Sequence, residues 1–299
     1  MATAITYSKF GGPEVLEVSE VEPARPGRDQ IRVRVRMTSV NGIDVKLRRG
    51  MNPKATFPVV PGLDVAGVVD EVGESADASI GAEILGVADG GSYAEFALVS
   101  HWATKPDDLS WELAAAIPTV GEAAFRALKH LDLHPGETLL IAGAAGSVGG
   151  LATQLAVSRG VRVIGSAAAV DQDRLRSYGA IAVRYDQDWV SEVRKVAPDG
   201  VDAALDTAGT GVLPQLIDLA GGPKRVITIA DFRAEKYGVR FTGGDSGDRA
   251  WESLEQLSAL ALSGKLDLPI GRSYQLIDAA VAHADLESEH GLGKLILTV

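Results

Sequence analysis

The sequence predicts an α/β protein in which a doubly wound parallel sheet is framed by β-rich segments from both chain ends. Three observations carry that reading. Beyond about Pro118, apolar runs (TLLIAG, VRVIGS, AVRYD, VDAALDTAG, KRVITIA) alternate with amphipathic ones (GGLATQLAVSRG, QDRLRSYGA, DWVSEVRKVA, VLPQLIDLA). Strands that are apolar almost throughout, each followed by a helix, make a parallel sheet covered on both faces. Before Pro118, QIRVRVRM alternates Ile31, Val33, Val35 and Met37 with Gln30, Arg32, Arg34 and Arg36, the period of a strand buried on one face. The chain then closes on GRSYQL, IDAAVAHADLESE and GKLILTV, a strand, a helix and a strand. That last strand needs a sheet to join, and the β-rich first part is the natural host.

The elements follow in order. PVVPGLDVAGVVDEVG and GAEILGVADGGSYAEFALV set short β-branched runs between glycines and prolines, so the first third reads as a compact β domain. VGEAAFRALKHL has helical spacing and opens the α/β part; DRAWESLEQLSALALSGKL reads as a long amphipathic helix near its end. These changes divide the chain into 1–117, 118–262 and 263–299, the first and last forming one domain. YGVRFTGG is expected as the last strand of the parallel sheet. An apolar edge of that kind is covered or paired with another copy, so a homodimer or homotetramer is expected.

Composition narrows the function. A chain of 299 residues is long for one core. A net charge of −11 disfavours nucleic acid or an anionic membrane as partner, because either needs a concentrated basic face. No cysteine is present, which removes disulfides, thiolate zinc sites and a catalytic thiol. His130 and His134 form the one close histidine pair and have no acids in ligand spacing, so no metal is expected. MATAITYSKFGG lacks a basic start followed by an apolar core, and no run approaches the roughly 18 to 20 apolar residues of a membrane span. A soluble, cytoplasmic protein is expected.

The stretch LLIAGAAGSVGGLATQLA carries the chemistry. It reads Ala144-x-Gly146-x-x-Gly149 between the first strand of the α/β part and a helix, a variant of the G-x-G-x-x-G fingerprint of a Rossmann domain. Gly146 lets the backbone approach a pyrophosphate, Gly149 lets helix and strand pack closely, and the helix N-terminus holds the anion. Ala144, Ala145, Gly146, Ser147, Val148 and Gly149 are therefore cofactor-binding candidates. The alternative is a tight strand-to-helix turn with no ligand. Ala144 fits the first glycine position if its φ is negative.

A site for NAD usually carries Asp or Glu about 20 residues further on, to bind the ribose hydroxyls. Here that place is Gly165-Ser166. Without the carboxylate a 2′-phosphate is not repelled, Ser166 can donate a hydrogen bond, and Arg174 can offer a planar fork of donors. NADP(H) is preferred over NAD(H); the alternative for Arg174 is a solvated helix charge.

NGIDVKLRRG, VVPGLDVAGVV, GSYAEFALV, GETLLIAGAAGSVGGLATQLA and the closing GKLILTV, in this order, resemble the zinc-independent quinone oxidoreductases of the medium-chain dehydrogenase/reductase superfamily. The resemblance covers essentially the whole chain. It implies a GroES-like β domain built from both chain ends, a Rossmann domain between them, and a cleft where nicotinamide meets substrate. Zinc-dependent relatives carry Cys in the segment resembling NGID and Gly-His-Glu where this chain has Gly62-Leu63-Asp64. Lewis-acid alcohol oxidation is thereby disfavoured, leaving hydride transfer from NADPH to a quinone or an enone.

By the same resemblance, Asn41 and Asp44 line the site near the nicotinamide, and Lys46 hydrogen-bonds the acceptor oxygen on which charge develops. Alternatively Asp44 caps the VKLRRG turn while Lys46, Arg48 and Arg49 face water. Tyr185 matches a position near the adenosine ribose phosphate, and Thr207 and Ala208 close a strand facing the cofactor; Tyr185 and the Gly209 turn beside that pair also read as ordinary structure. Ala123 stands where many relatives carry Thr, so Thr119 becomes the nearby hydroxyl candidate. The expected activity is an NADPH-dependent quinone reductase, with an enoyl or enone reductase as the alternative enzyme. A nicotinamide-binding sensor or structural protein with little turnover is the alternative of another class.

Overall fold

The computed structural model describes residues 1–244, 247–288 and 293–299. In chain order the elements begin β1 (Ala2–Thr6), β2 (Glu17–Val21), β3 (Ile31–Val40), α1 (Gly42–Arg48), β4 (Asp64–Val72), β5 (Glu83–Ala88), β6 (Phe96–Thr104) and α2 (Trp111–Leu131). Next come β7 (Thr138–Ala142), α3 (Ser147–Ser158), β8 (Arg162–Ala167), α4 (Gln172–Ser177), β9 (Ile181–Arg184), α5 (Trp189–Val196), β10 (Ala203–Asp206) and α6 (Leu213–Leu219). The chain ends with β11 (Val226–Thr228), β12 (Arg240–Phe241), α7 (Ser253–Leu262), β13 (Ile270–Gln275), α8 (Ala279–Ser288) and β14 (Lys294–Thr298).

These elements form two compact units, Met1–Thr119 with Trp251–Val299, and Val120–Ala250. In the first unit, β1 and β2 make a two-stranded antiparallel sheet, and a six-stranded sheet runs β13-β14-β3-β4-β5-β6. β3 also pairs with β6, which closes β3 to β6 on themselves. Ile31, Val33 and Val35 point into the core with Val65, Val69, Ile84 and Val99. On the opposite face Arg34 lies over the Phe96 ring at 4.9 Å. The period of two is thus read correctly from the sequence.

The closing strand does join this sheet: β14 runs antiparallel to β3, with Leu295 opposite Val40 and Ile296 opposite Ser39. That register sets Lys294 beside Asn41, from the far end of the chain. Two expected boundaries shift. The units divide at 119/120, inside α2, and at 250/251 rather than 262/263. The reason for the second shift is packing: α7 is shorter than expected, and it lies against β6 with Leu254, Leu257 and Ala261 buried. Trp251 stacks on His101 of β6 at 4.3 Å between ring centroids.

In the second unit all strands are parallel, in the order β12-β11-β10-β7-β8-β9. Renumbered within the unit this is 6-5-4-1-2-3, the doubly wound Rossmann order that reverses beside the first strand. Leu140, Ile164, Val183, Ala204 and Val226 are buried under Leu213 and Leu216 of α6 and Val193 of α5. The expected edge strand is short, Arg240–Phe241, with Phe241 and Phe232 partly exposed and 5.1 Å apart. No helix of the described residues is long and apolar enough to cross a membrane.

Candidate cofactor loop and polar cluster

The glycine-rich turn follows from local sterics. The left-handed conformation that ends β7 falls on Gly143, at φ +79°, so Ala144 has a negative φ and needs no glycine. A Cβ on Gly149 would lie 2.2 Å from the Gly143 carbonyl oxygen and 2.8 Å from Ala144 Cα. Only glycine allows α3 to approach β7 this closely. A Cβ on Gly146 would meet nothing nearer than the Gly143 oxygen at 3.4 Å, so that position is bare without being crowded by the protein. Gly146 is the N-cap of α3, and the helix starts at Ser147 and Val148, whose amides have no intrahelical acceptor.

β8 brings Ser166 to this loop. Its hydroxyl accepts from the Gly143 N–H at 3.4 Å. Arg174 of α4 reaches the same loop, donating from Nη2 to the Ala145 carbonyl at 2.9 Å and to Asp171 Oδ1 at 2.7 Å. Its Nε is buried without a hydrogen-bond partner among the described residues. Arg174 is therefore not the solvated helix charge of the alternative reading, and Asp171 is a neighbour that sequence reasoning missed. Thr207 Oγ1 donates to the Ala142 and Gly143 carbonyls at 2.8 and 3.1 Å, so this hydroxyl staples the turn. Ala208 is fixed by its N–H on Asp206 Oδ1 at 3.0 Å. Tyr185 follows β9 and is 55% exposed, its side chain outside the core.

In the first unit, the NGID segment sits in a buried polar cluster. Asn41 is the N-cap of α1, and its backbone N–H donates to Asp44 Oδ2 at 2.8 Å, the reciprocal half of a capping box. The capping alternative for Asp44 is thus correct in geometry, but Arg48 does not face water: it is wholly buried. Lys46 lies on the exposed face of α1. Asn41 Nδ2 donates to Asp64 Oδ2 at 2.8 Å, and Asn41 Oδ1 accepts from Lys294 Nζ at 2.7 Å. Asp64 also accepts from Ser39 Oγ and, on Oδ1, from the Thr119 N–H at 2.7 Å. Pro118 lacks an N–H of its own inside α2, and the amide that follows it serves Asp64. Burial lowers the pKa of Lys294, against the opposing pull of Asp64 and Asp44.

Burial also raises the Asp44 carboxyl to about 7, with Asp64 adding to the shift and the Asn41 amide and Lys294 opposing it. Asp44 Oδ1 and Thr119 Oγ1 are both buried without hydrogen-bond partners among the described residues. Tyr93 fits behind this cluster because Gly62, at φ +93°, has no side chain; a Cβ there would come within 2.2 Å of the ring. Sequence reasoning missed Lys294, Asp64 and Tyr93 as members of the cluster, and also His283 and Arg48: His283 Nε2 lies 3.1 Å from the Tyr93 hydroxyl and its Nδ1 lies 3.0 Å from Arg48 Nη1. Among the described residues no group of three or more His, Cys, Asp or Glu side chains could hold a metal ion. His130 instead pairs with Asp248 at 2.7 Å.

Known proteins resemble this chain in both of its parts. Residues 27–108 match the family described as alcohol dehydrogenase GroES-like domain, and residues 178–297 match that described as zinc-binding dehydrogenase. The quinone oxidoreductase of Sus scrofa is 32% identical, over 99% of this chain and 98% of its own. The chain belongs to the quinone oxidoreductases of the medium-chain dehydrogenase/reductase superfamily. Another member of this quinone oxidoreductase group, that of Escherichia coli complexed with NADPH, has a TM-score of 0.87 at 25% identity, covering 100% of both chains. The 2-methylene-furan-3-one reductase of Solanum lycopersicum is 31% identical over 98% of this chain and 78% of its own. With no cysteine, and with Leu63 between Gly62 and Asp64, the chain lacks the Cys and His ligands of its zinc-dependent relatives.

Proposed function

We propose that the protein is an NADPH-dependent reductase that transfers a hydride to a quinone or to a C=C bond conjugated to a carbonyl. The observation that carries this reading is the loop around Gly146. Its backbone is bare where a pyrophosphate would lie, and Ser166 and Arg174 meet it where a carboxylate would otherwise exclude a 2′-phosphate. The buried, unpartnered Arg174 Nε fits an additional acceptor there, so these residues suit NADP(H).

Bound at this loop, the reduced nicotinamide supplies a hydride. The chain's own part is to bind and orient. Gly146 and the first turn of α3 hold the pyrophosphate, Arg174 and Ser166 hold the 2′-phosphate, and Thr207 with Ala208 keeps the turn in shape. Thr119 offers a buried hydroxyl with no hydrogen-bond partner among the described residues. Lys46, exposed on α1, is the donor for the acceptor oxygen on which negative charge grows. A second reading, enone reduction as the natural reaction, is favoured by the likeness to 2-methylene-furan-3-one reductase.

Anaerobic oxidation of NADPH with a panel of quinones and enones tests the reading. Turnover with either class supports it and ranks the two acceptors. NADPH binding without turnover would favour a sensor. Assembly through the β12 edge, where Phe232 and Phe241 are exposed, belongs to the same reading and predicts a homodimer or homotetramer by light scattering.

A further inference from the structure

The carboxylate that the sequence lacks at Gly165-Ser166 is returned to the same edge of the sheet by the turn after β8. Asp171 closes a single 3-10 turn, Ala169–Asp171, and its backbone N–H donates to the Ala168 carbonyl at 3.1 Å. Its neighbour fixes its place: buried Gln172 donates from Nε2 to the Ala167 carbonyl at 3.0 Å and to the Val183 carbonyl at 3.1 Å, tying the turn to β8 and β9. Asp171 is also the N-cap of α4, where an aspartate ordinarily accepts from a helix amide, yet its side chain makes no such bond. Oδ1 instead accepts from Arg174 Nη2 at 2.7 Å.

The same Nη2 donates to the Ala145 carbonyl at 2.9 Å, so one nitrogen joins the acid to the glycine-rich loop. A guanidinium carries several N–H donors, and Arg174 Nε has no hydrogen-bond partner among the described residues. A carboxylate has about four lone-pair sites, and the bond from Arg174 takes only one of them. Both partners therefore keep capacity for a ligand. Neither is sealed off: the Asp171 side chain is 18% exposed and that of Arg174 25%. The loop, Ser166, Asp171 and Arg174 all belong to the second unit, so the site is complete within it.

We propose that Asp171 is the ribose-binding acid of this chain, so that one Asp171–Arg174 pair serves two dinucleotides: its carboxylate accepts from the ribose hydroxyls of NADH, and its guanidinium donates to the 2′-phosphate of NADPH. The proposal rests on the cofactor reading and adds NADH to it. A free carboxylate at this edge would exclude a 2′-phosphate by repulsion, but Arg174 offsets the charge of Asp171 and stands between it and the loop. A phosphate must still take donors from Arg174 while a negative charge remains beside it, so the preference for NADPH is limited. NADH leaves the ion pair intact and uses lone pairs that Arg174 does not occupy. Arg174 thus sets only the phosphate side, and Asp171 sets the ratio of the two affinities.

Calorimetric titration of the full-length protein with NADPH and with NADH, in wild type and Asp171→Asn, tests this without turnover. Wild type should bind both, with affinities within about 100-fold of one another, the span of a hydrogen bond to a charged group. Asp171→Asn removes the charge and keeps the shape. It should tighten NADPH by about 3- to 30-fold, because a like charge near the phosphate is gone. NADH should bind at least about fivefold more weakly, because a neutral amide is the poorer acceptor. The pair is partly exposed, so the variant should melt close to wild type. Asp171→Ala, which leaves no acceptor, should weaken NADH further and still tighten NADPH. A role confined to shaping the turn would instead move both affinities in one direction. Equal losses for both dinucleotides, or an unchanged ratio, would overturn the proposal and leave the cofactor reading standing, as would wild type that binds NADPH but not NADH. If wild type binds neither, the cofactor reading fails and the proposal with it.

Discussion

Lys294 Nζ lies 2.7 Å from Asn41 Oδ1, joining the last strand of the chain to the segment that caps α1. The same ammonium is 3.5 Å from Asp64 Oδ2, and all three side chains are buried. The amide of Asn41 is therefore oriented from both ends: it accepts from a cation and donates to a carboxylate. The carboxylate side is completed by Ser39 and by the amide after Pro118.

Removing that cation should be costly. Lys294→Met leaves Asp64 buried without its counter-charge, and we expect a loss of about 3 to 5 kcal/mol in urea unfolding. A loss below about 1 kcal/mol would mean that the donors from Ser39, Asn41 and Thr119 suffice for Asp64.

The pH dependence of stability has two opposed parts. Asp44 is raised from 3.8 to about 7, so the native state keeps a proton that the unfolded chain has released, and its contribution declines as pH rises through that window. His283 is lowered from 6.5 to about 3, so its contribution is present above the unfolded value and is lost as pH falls through that window. Between roughly pH 4 and 6.5 the two slopes cancel. Asp44→Asn removes one of them. Its stability relative to wild type should then rise by about 1.4 kcal/mol per pH unit over this range. Parallel profiles from urea unfolding at several pH values would contradict the assignment.

Two glycines of the loop should separate folding from binding. Gly149→Ala places a Cβ against backbone and should lower both thermal stability and NADPH affinity. Gly146→Ala meets only the Gly143 oxygen at 3.4 Å and should fold nearly normally while binding NADPH at least tenfold more weakly. Calorimetric titration and thermal unfolding of both variants give the comparison. Equal effects on stability would count against a ligand role for Gly146.

Arg174 sets the phosphate preference. Arg174→Ala should weaken NADPH binding by about 1.5 to 3 kcal/mol, the range for a hydrogen bond to a charged group, and leave NADH nearly unaffected. Equal losses for both dinucleotides would mean that Arg174 acts only by bracing the Ala145 carbonyl.

What the sequence made legible was local. Alternation of apolar runs with helices gives the parallel sheet, and the spacing of Gly146 and Gly149 gives the turn, because both depend on neighbours within a few residues. Even the alanine in the first glycine position is explained locally, by Gly143 taking the left-handed conformation. The polar cluster was legible only in part. Asn41 and Asp44 lie three residues apart on one turn, but Lys294 reaches them through the register of β14 on β3, and His283 through the packing of α8 on α1. No spacing in the sequence encodes those meetings. The boundary at 250/251 was missed for a similar reason, since the buried face of α7 does not say which unit will cover it.

The central claim, hydride transfer from NADPH to a conjugated acceptor, is tested most directly by following the hydrogen itself. In an anaerobic single turnover with an enone, NADPH carrying deuterium at the transferable position of nicotinamide C4 should pass that deuterium to the carbon β to the carbonyl, with the second hydrogen coming from solvent. Mass spectrometry and NMR of the product would read this. A reduced product with no deuterium on carbon, or no oxidation of bound NADPH with any quinone or enone, would contradict the account.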